Sequence, residues 1–66
     1  MVENKLRQIR KERSLNQEDI AIATGYSERT ISRIERCDTP PSAEFMLRIS
    51  AYLNLLMEDI FFIKTD

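Results

Sequence analysis

The polar side chains best suited to chemistry form one stripe in the middle of the chain. They recur at steps of three and four, which places them on one face of a helix: Glu28, Arg29, Ser32, Arg33 and Arg36. Guanidinium groups match phosphate oxygens and the O6/N7 edge of guanine, so the stripe favours a surface that binds nucleic acid. The simpler interpretation is a solvated helix face, with ion pairs from Glu28 to Arg29 or Arg33.

Composition argues against most other kinds of chemistry. The chain has 66 residues, 42% hydrophobic and 32% charged, which indicates a single globular domain, residues 1–66. It has no histidine and one cysteine, so one chain cannot assemble a zinc site or a Cys–His nucleophile. We therefore expect no enzyme, no cofactor and no small-molecule ligand. The lone Cys37 favours a reducing, cytoplasmic setting, and no apolar run is long enough for a membrane span.

Charge is distributed unevenly along the chain. Residues 1–36 hold eight Lys/Arg and six Asp/Glu, whereas residues 37–66 hold two and five, so the balances are +2 and −3. The positive half is the one that contains the polar stripe. This asymmetry is modest, and taken alone it also fits an ordinary solvated surface.

Hydrophobic periodicity and capping residues predict an all-α fold with five helices. Asn16 with Asp19 resembles a capping box, Gly25 is suited to a left-handed helix end, and Ser27 can cap the helix that follows. The final "FFIKTD" fits a helix end, a short strand or a frayed tail. The predicted helices cover about 3–13, 17–24, 28–36, 42–53 and 57–61.

The only glycine in the chain separates two of these helices by a tight turn. A helix of about eight residues, a short turn with glycine and a second helix of about nine are typical of a helix-turn-helix. Ala21, one turn before Gly25, leaves room for the second helix to approach closely. An ordinary αα-hairpin of a small bundle would use the same features, so the outer face of the second helix has to separate the two interpretations.

Residues 6–61 resemble the λ-repressor/Cro-like family of DNA-binding domains, also called the xenobiotic-response-element helix-turn-helix family. The resemblance rests on "LRQIR" (6–10), "LNQEDIAIATGYS" (15–27), "RTISRIER" (29–36), "PPS" (40–42) and "LNLLMEDIF" (53–61). It implies a compact five-helix domain whose second and third helices form the helix-turn-helix. It also implies binding of double-stranded DNA, with helix 28–36 in the major groove.

The resemblance assigns roles to individual positions. Gln17 would donate to a DNA phosphate, although it also fits a plain first residue of a helix. Glu28 would accept from cytosine or adenine, or would only stabilise the positive helix N-terminus. Arg36 and the loop beyond it would lie near the backbone. The residues expected to face base edges and flanking phosphates are Ser27, Glu28, Arg29, Ser32 and Arg33.

Arg10 and Glu35 are expected to serve architecture rather than DNA contact. Each lies on an inward-leaning helix face, where an unpaired charge would be costly, so we expect an ion pair between them. The family resemblance implies the same pair. Cys37 and Asp38 depart from the family pattern, which usually has glycine or asparagine and then a basic or polar residue, so contact between this loop and DNA is less expected.

The C-terminal half contains more apolar surface than a small core needs. Leu55 and Leu56 replace the usual capping residue of the last helix, and with Phe61 and Phe62 they form a candidate dimer interface. The alternative is that these residues only complete the core. The sequence thus favours a small dimeric repressor on a palindromic operator. The rival function is a protein-interaction module, of antitoxin or anti-repressor type, that uses the acidic, apolar C-terminal half.

Overall fold

The computed structural model describes residues 2–64 and consists of five helices with a two-stranded sheet. The sequence did not predict a single conformation for the C-terminal segment, and residues 65–66 of that segment lie outside the described part of the chain. None of the helices in residues 2–64 has the length and apolar character needed to cross a membrane. The elements are β1 Val2–Asn4, α1 Leu6–Glu12, α2 Gln17–Thr24, α3 Glu28–Glu35, α4 Ala43–Leu53, α5 Met57–Ile60 and β2 Phe61–Ile63.

The sheet corrects the expectation of an all-α fold and of a first helix that begins near Glu3. β1 and β2 pair antiparallel, with Val2 opposite Ile63 and Asn4 opposite Phe61. The backbone groups of the N-terminal segment are therefore satisfied by residues almost sixty positions away. Helical periodicity reports only neighbours along the chain, so the spacing of Val2 before Leu6 suggested a helix where a strand forms.

Every helix contributes to one core. The buried hydrophobic residues are Leu6, Ile20, Ile31, Ile34, Phe45, Ile49, Leu53, Ile60 and Phe61. In α4, Phe45 is fully buried, whereas Met46 is only partly buried against the core. The Phe45 ring packs edge-on against Tyr26, at 5.2 Å between centroids, and so joins α4 to the start of α3. Aromatic pairs of this geometry contribute about 1 kcal/mol beyond the area they bury.

Phe61 does not belong to an exposed interface, which corrects its place in the candidate dimer surface. Only 6% of it is exposed, because it ends α5 and packs beside Phe45 at 6.4 Å between ring centroids. Leu55 is partly buried against the same core. For these two residues the competing interpretation, completion of the core, is the one that the structure supports.

The turn between α2 and α3 has the predicted local geometry. Gly25 has φ 77°, in the left-handed region, and its N–H donates to the Ala21 carbonyl at 2.8 Å. Asn16 and Asp19 form a reciprocal capping box at the start of α2, and the Ser27 hydroxyl accepts from the Thr30 N–H at the start of α3. α2 therefore begins and ends, and α3 begins, at the predicted residues, where each cap satisfies backbone groups that a helix end leaves unpaired.

A residue just after α3 has a strained backbone conformation. Cys37 has φ 61°, a conformation that glycine adopts without strain and a side chain with a Cβ does not. Its N–H donates to the Ile34 carbonyl and the Asp38 N–H donates to the Arg33 carbonyl, at 2.9 Å each. The departure from glycine noted in the sequence therefore falls where the backbone needs a left-handed residue.

Candidate nucleic-acid interface

The two faces of α3 differ sharply in burial. Ile31 and Ile34 are buried, at 0% and 2% exposure, and they fix the helix against the core. Arg29 and Arg33 lie on the opposite face and are exposed. Within residues 2–64 neither arginine side chain makes a hydrogen bond or an ion pair, and Glu28 makes none with them. The ion-paired solvated face proposed as the alternative therefore does not form in the described structure.

Two other polar residues of the stripe, Ser32 and Arg36, are already engaged with each other. The Arg36 guanidinium donates to the Ser32 hydroxyl at 3.1 Å and to the Asp38 carboxylate at 3.0 Å. The Ser27 hydroxyl lies 2.9 Å from the Thr30 hydroxyl in addition to its capping bond. Of the three arginines in the stripe, Arg29 and Arg33 therefore have free guanidinium groups within residues 2–64, whereas Asp38 offsets the charge of Arg36.

A buried network joins α1, α2 and α3 beneath this face. Arg10 donates to both carboxylate oxygens of Glu35, from Nε at 2.8 Å and from Nη2 at 3.1 Å. A third Arg10 hydrogen bond, at 3.2 Å, reaches the Leu15 carbonyl. The side chains of Arg10 and Glu35 are 11% and 3% exposed, so they form a bidentate and largely desolvated ion pair.

The network raises the pKa of Arg10. The largest cause is the hydrogen bond to Glu35, which favours the charged guanidinium; burial opposes it, and the negative charge of Glu35 adds to it. Because the folded-state pKa is raised, the stabilisation from Arg10 is complete below the ordinary arginine pKa. It is lost only when the pH rises through the higher folded value. The pair therefore stays intact throughout the neutral range.

Gln17 belongs to the same network. It is the first residue of α2, and its amide nitrogen donates to Glu35 Oε1 at 3.2 Å. A side-chain amide has two N–H donors, so one remains for a partner outside the chain. Glu35 thus orients Gln17 and also holds Arg10. The sequence suggested separate roles for Gln17 and Arg10, and the structure joins them through Glu35.

A polar cleft opens between α1, the start of α2 and α3. Its volume is about 350 Å³, and it is lined by Arg7, Arg10, Gln17, Ser32, Glu35 and Arg36. Arg7 is the one lining residue that the sequence did not single out. A lone exposed arginine on an amphipathic helix has no pattern to distinguish it, and only the position of α1 beside α3 gives it neighbours.

The C-terminal apolar surface, defined here as Leu56, Phe62 and Ile63, is exposed. These side chains are 63%, 40% and 69% exposed, respectively. Leu56 precedes α5, and the other two lie on β2, which pairs with β1 on one side only within residues 2–64. Of the predicted interface residues, Leu56 and Phe62 therefore remain available to a partner.

The capped α2–α3 corner, with its buried inner face and exposed arginines, defines a helix-turn-helix domain of the λ-repressor/Cro-like type. Residues 6–60 match the Helix-turn-helix family, and the chain belongs to that family. It is 35% identical over 65 residues to an uncharacterized HTH-type transcriptional regulator of Methanocaldococcus jannaschii, with 98% of both chains covered. An uncharacterized HTH-type transcriptional regulator of Bacillus subtilis is 28% identical over the same length and coverage.

Solved structures show the same fold. A crystal structure from Bacteroides fragilis superposes with a TM-score of 0.83 at 24% identity, over 94% of this chain and 100% of that one. A transcriptional regulator from Listeria innocua gives a TM-score of 0.81 at 20% identity, over 97% of this chain and 64% of the other. At these identities the likeness concerns architecture.

Proposed function

We propose that this protein is a transcriptional regulator that binds double-stranded DNA and reads its sequence in the major groove with α3. The observation that carries the proposal is the pair of exposed guanidinium groups, Arg29 and Arg33, which are unpaired within residues 2–64 and lie opposite the buried Ile31 and Ile34. Membership of the Helix-turn-helix family supports the same function, as do the two relatives, each described as an HTH-type transcriptional regulator.

The chemistry of the proposed contacts follows from the free donors on this face. Arg29 and Arg33 lie one turn apart and can each donate two hydrogen bonds to a guanine or to flanking phosphates. The free amide hydrogen of Gln17 and the backbone N–H groups at the start of α2 favour a phosphate beside them. Glu28 accepts from cytosine or adenine, or stabilises the N-terminus of α3; both roles stay open.

Dimerisation is the second part of the proposal. A twofold dimer would place two α3 helices about 34 Å apart, in successive major grooves of a palindromic operator. The C-terminal apolar surface supports a homodimer, since exposed apolar side chains next to an unpaired strand edge favour a partner. In this proposal residues 1–66 act as one cytoplasmic domain, and the protein is a repressor.

A rival function, binding of another protein, is favoured by the same apolar surface and by the negative balance of residues 37–66. Retention on a DNA resin at low salt separates the two. A protein that reads the groove is retained and is released by salt, because phosphate contacts release counterions. A protein-interaction module of net charge −1 passes through.

The direct test is selection of duplexes from a random pool, followed by titration of the selected duplex and of a scrambled one. Arg33→Ala should lower the affinity for the selected duplex by about 1–3 kcal/mol and relax the preference at one base pair. Lys11→Ala, which removes the same charge from an exposed position on α1, is the matched control and should have little effect on preference. Equal wild-type affinity for the selected and scrambled duplexes would contradict the proposal.

A further inference from the structure

Arg7 is a cation without a partner at the rim of a polar cleft. It lies in the first turn of α1, is exposed, and makes no hydrogen bond or ion pair within residues 2–64. The two other arginines that line the cleft differ from it: Arg10 is held by Glu35, and Arg36 is shared between Ser32 and Asp38. The cleft therefore contains one guanidinium group with all its donors free.

The remaining walls of the cleft also supply donors. Three guanidinium groups face a single carboxylate, and both oxygens of that carboxylate, on Glu35, already accept from Arg10. Glu35 Oε1 additionally accepts from Gln17, which leaves one Gln17 N–H unused. A cleft with free donors, excess positive charge and an occupied acceptor favours an anion. Its volume of about 350 Å³ leaves room for a phosphate group.

The position of the cleft favours a backbone phosphate of DNA over free phosphate as the bound anion. Ser32 and Arg36 line it and also belong to the outward stripe of α3, so the cleft adjoins the surface proposed to enter the groove. A DNA strand that passes along that stripe brings its sugar–phosphate backbone to the cleft mouth. Free phosphate offers the same oxygen chemistry without this continuity.

We propose that the cleft between α1 and α3 binds one backbone phosphate of the DNA, and that Arg7 is its main charged ligand. The inference rests on the proposed function. It adds α1 to the contact surface, gives Gln17 a specific neighbour at the phosphate, and makes Glu35 a positioning residue that orients Gln17. Because a phosphate contact is independent of base identity, Arg7 contributes to affinity and not to sequence preference.

The test compares three variants in binding titrations over a range of salt concentrations. Arg7→Ala should weaken binding to the selected and scrambled duplexes by the same factor, on the order of fivefold for each bound protomer, and should lower the salt slope by about 0.9 per protomer. Arg7→Lys keeps the charge and should restore most of the slope. Lys11→Ala removes an equal charge from the same helix outside the cleft and should leave the slope nearly unchanged. Arg7 has no partner in the described part of the chain, so thermal unfolding of all three variants should match the wild type.

The outcomes are separable. If Arg7→Ala matches the wild type, or if Lys11→Ala lowers the slope equally, the proposed phosphate site is wrong while the proposed function stands. If the wild type binds no duplex, the function fails, and an NMR titration with inorganic phosphate still examines the cleft. A phosphate-dependent shift of the Gln17 side-chain amide signals in the wild type that is lost in Arg7→Ala would then establish an anion site. No shift would overturn it.

Discussion

The corner between α2 and α3 and the C-terminal segment of α5 and β2 are stabilised in opposite ways. In the corner, residues within a few positions of each helix end satisfy it: Asn16 with Asp19, then Gly25, then Ser27. The four-residue α5 begins at Leu56, whose side chain caps nothing, and β2 depends on β1 at the other end of the chain. The proposed recognition surface thus lies on the locally determined part of the molecule, and the proposed dimer surface lies on the part determined by distant contacts.

The corner depends on one distant contact, the buried ion pair between Arg10 and Glu35, which joins it to α1. Removal of this pair should have the largest effect on stability. Arg10→Met leaves the Glu35 carboxylate desolvated, with Gln17 as its remaining side-chain donor. We expect a loss of about 3 kcal/mol in the free energy of unfolding, measured by urea titration. The raised pKa of Arg10 keeps its guanidinium charged at mildly acidic and mildly alkaline pH, so titration of Arg10 itself adds no pH dependence to this loss.

The double variant Arg10→Met with Glu35→Leu serves as the control for this prediction. It removes both charges, so no unpaired carboxylate is buried, and part of the lost stability should return. A single variant as stable as the wild type would show that the pair does not join α1 to the corner.

The same contrast explains how much of the molecule could be predicted. The caps, the left-handed Gly25 and the two faces of α3 follow from side chains a few residues apart, and the sequence predicted them. The sheet could not be predicted, because Val2 and Ile63 meet only after the helices have packed. Asn4 shows this well: its amide donates to the Ile34 carbonyl at 2.9 Å and its side-chain oxygen accepts from the Leu6 N–H at 3.1 Å. The contact with Ile34 has no signal in the sequence, whereas the contact with Leu6, two residues along the chain, is a local turn contact that asparagine favours.

The residues of the candidate site also fall into two groups: those that local sequence spacing predicts and those that only the folded structure brings together. Arg29 and Arg33 could be proposed from the helical period alone, since the period also identifies Ile31 and Ile34 as the inner face. Arg7 was missed, because its relation to α3 exists only in three dimensions. The roles of these residues toward DNA remain predictions that the binding experiments test.

A substitution that strains the backbone of the α2–α3 turn should lower the stability by an intermediate amount. Gly25→Ala should cost about 1–2 kcal/mol in thermal or urea unfolding, because a side chain disfavours φ 77°. Crowding contributes little: an added Cβ would lie 3.7 Å from the Arg48 Nη1, an ordinary contact. The matched control is Ser14→Gly, at φ 57° after α1, which should change stability in the favourable direction. If Gly25→Ala were neutral, the turn would not depend on glycine.

The smallest effect is expected at the uncapped start of α5. Leu56 has φ −71° and ψ 151°, the extended backbone that a capping residue adopts, yet it offers no acceptor to the first turn. Leu56→Ser should supply one to the Glu58 or Asp59 N–H and should stabilise the monomer by about 0.5–1 kcal/mol, measured by urea unfolding at low protein concentration.

The same change should weaken the proposed dimer, since Leu56 is 63% exposed on the C-terminal apolar surface. Sedimentation over a range of concentrations should show a shift toward the monomer. Leu47→Ser is the matched control: Leu47 is 60% exposed but lies inside α4, where a serine caps nothing and should stabilise nothing. An unchanged dimer in Leu56→Ser would move the interface away from α5, whereas lower monomer stability would show that α5 depends on the leucine itself rather than on β2 and the core.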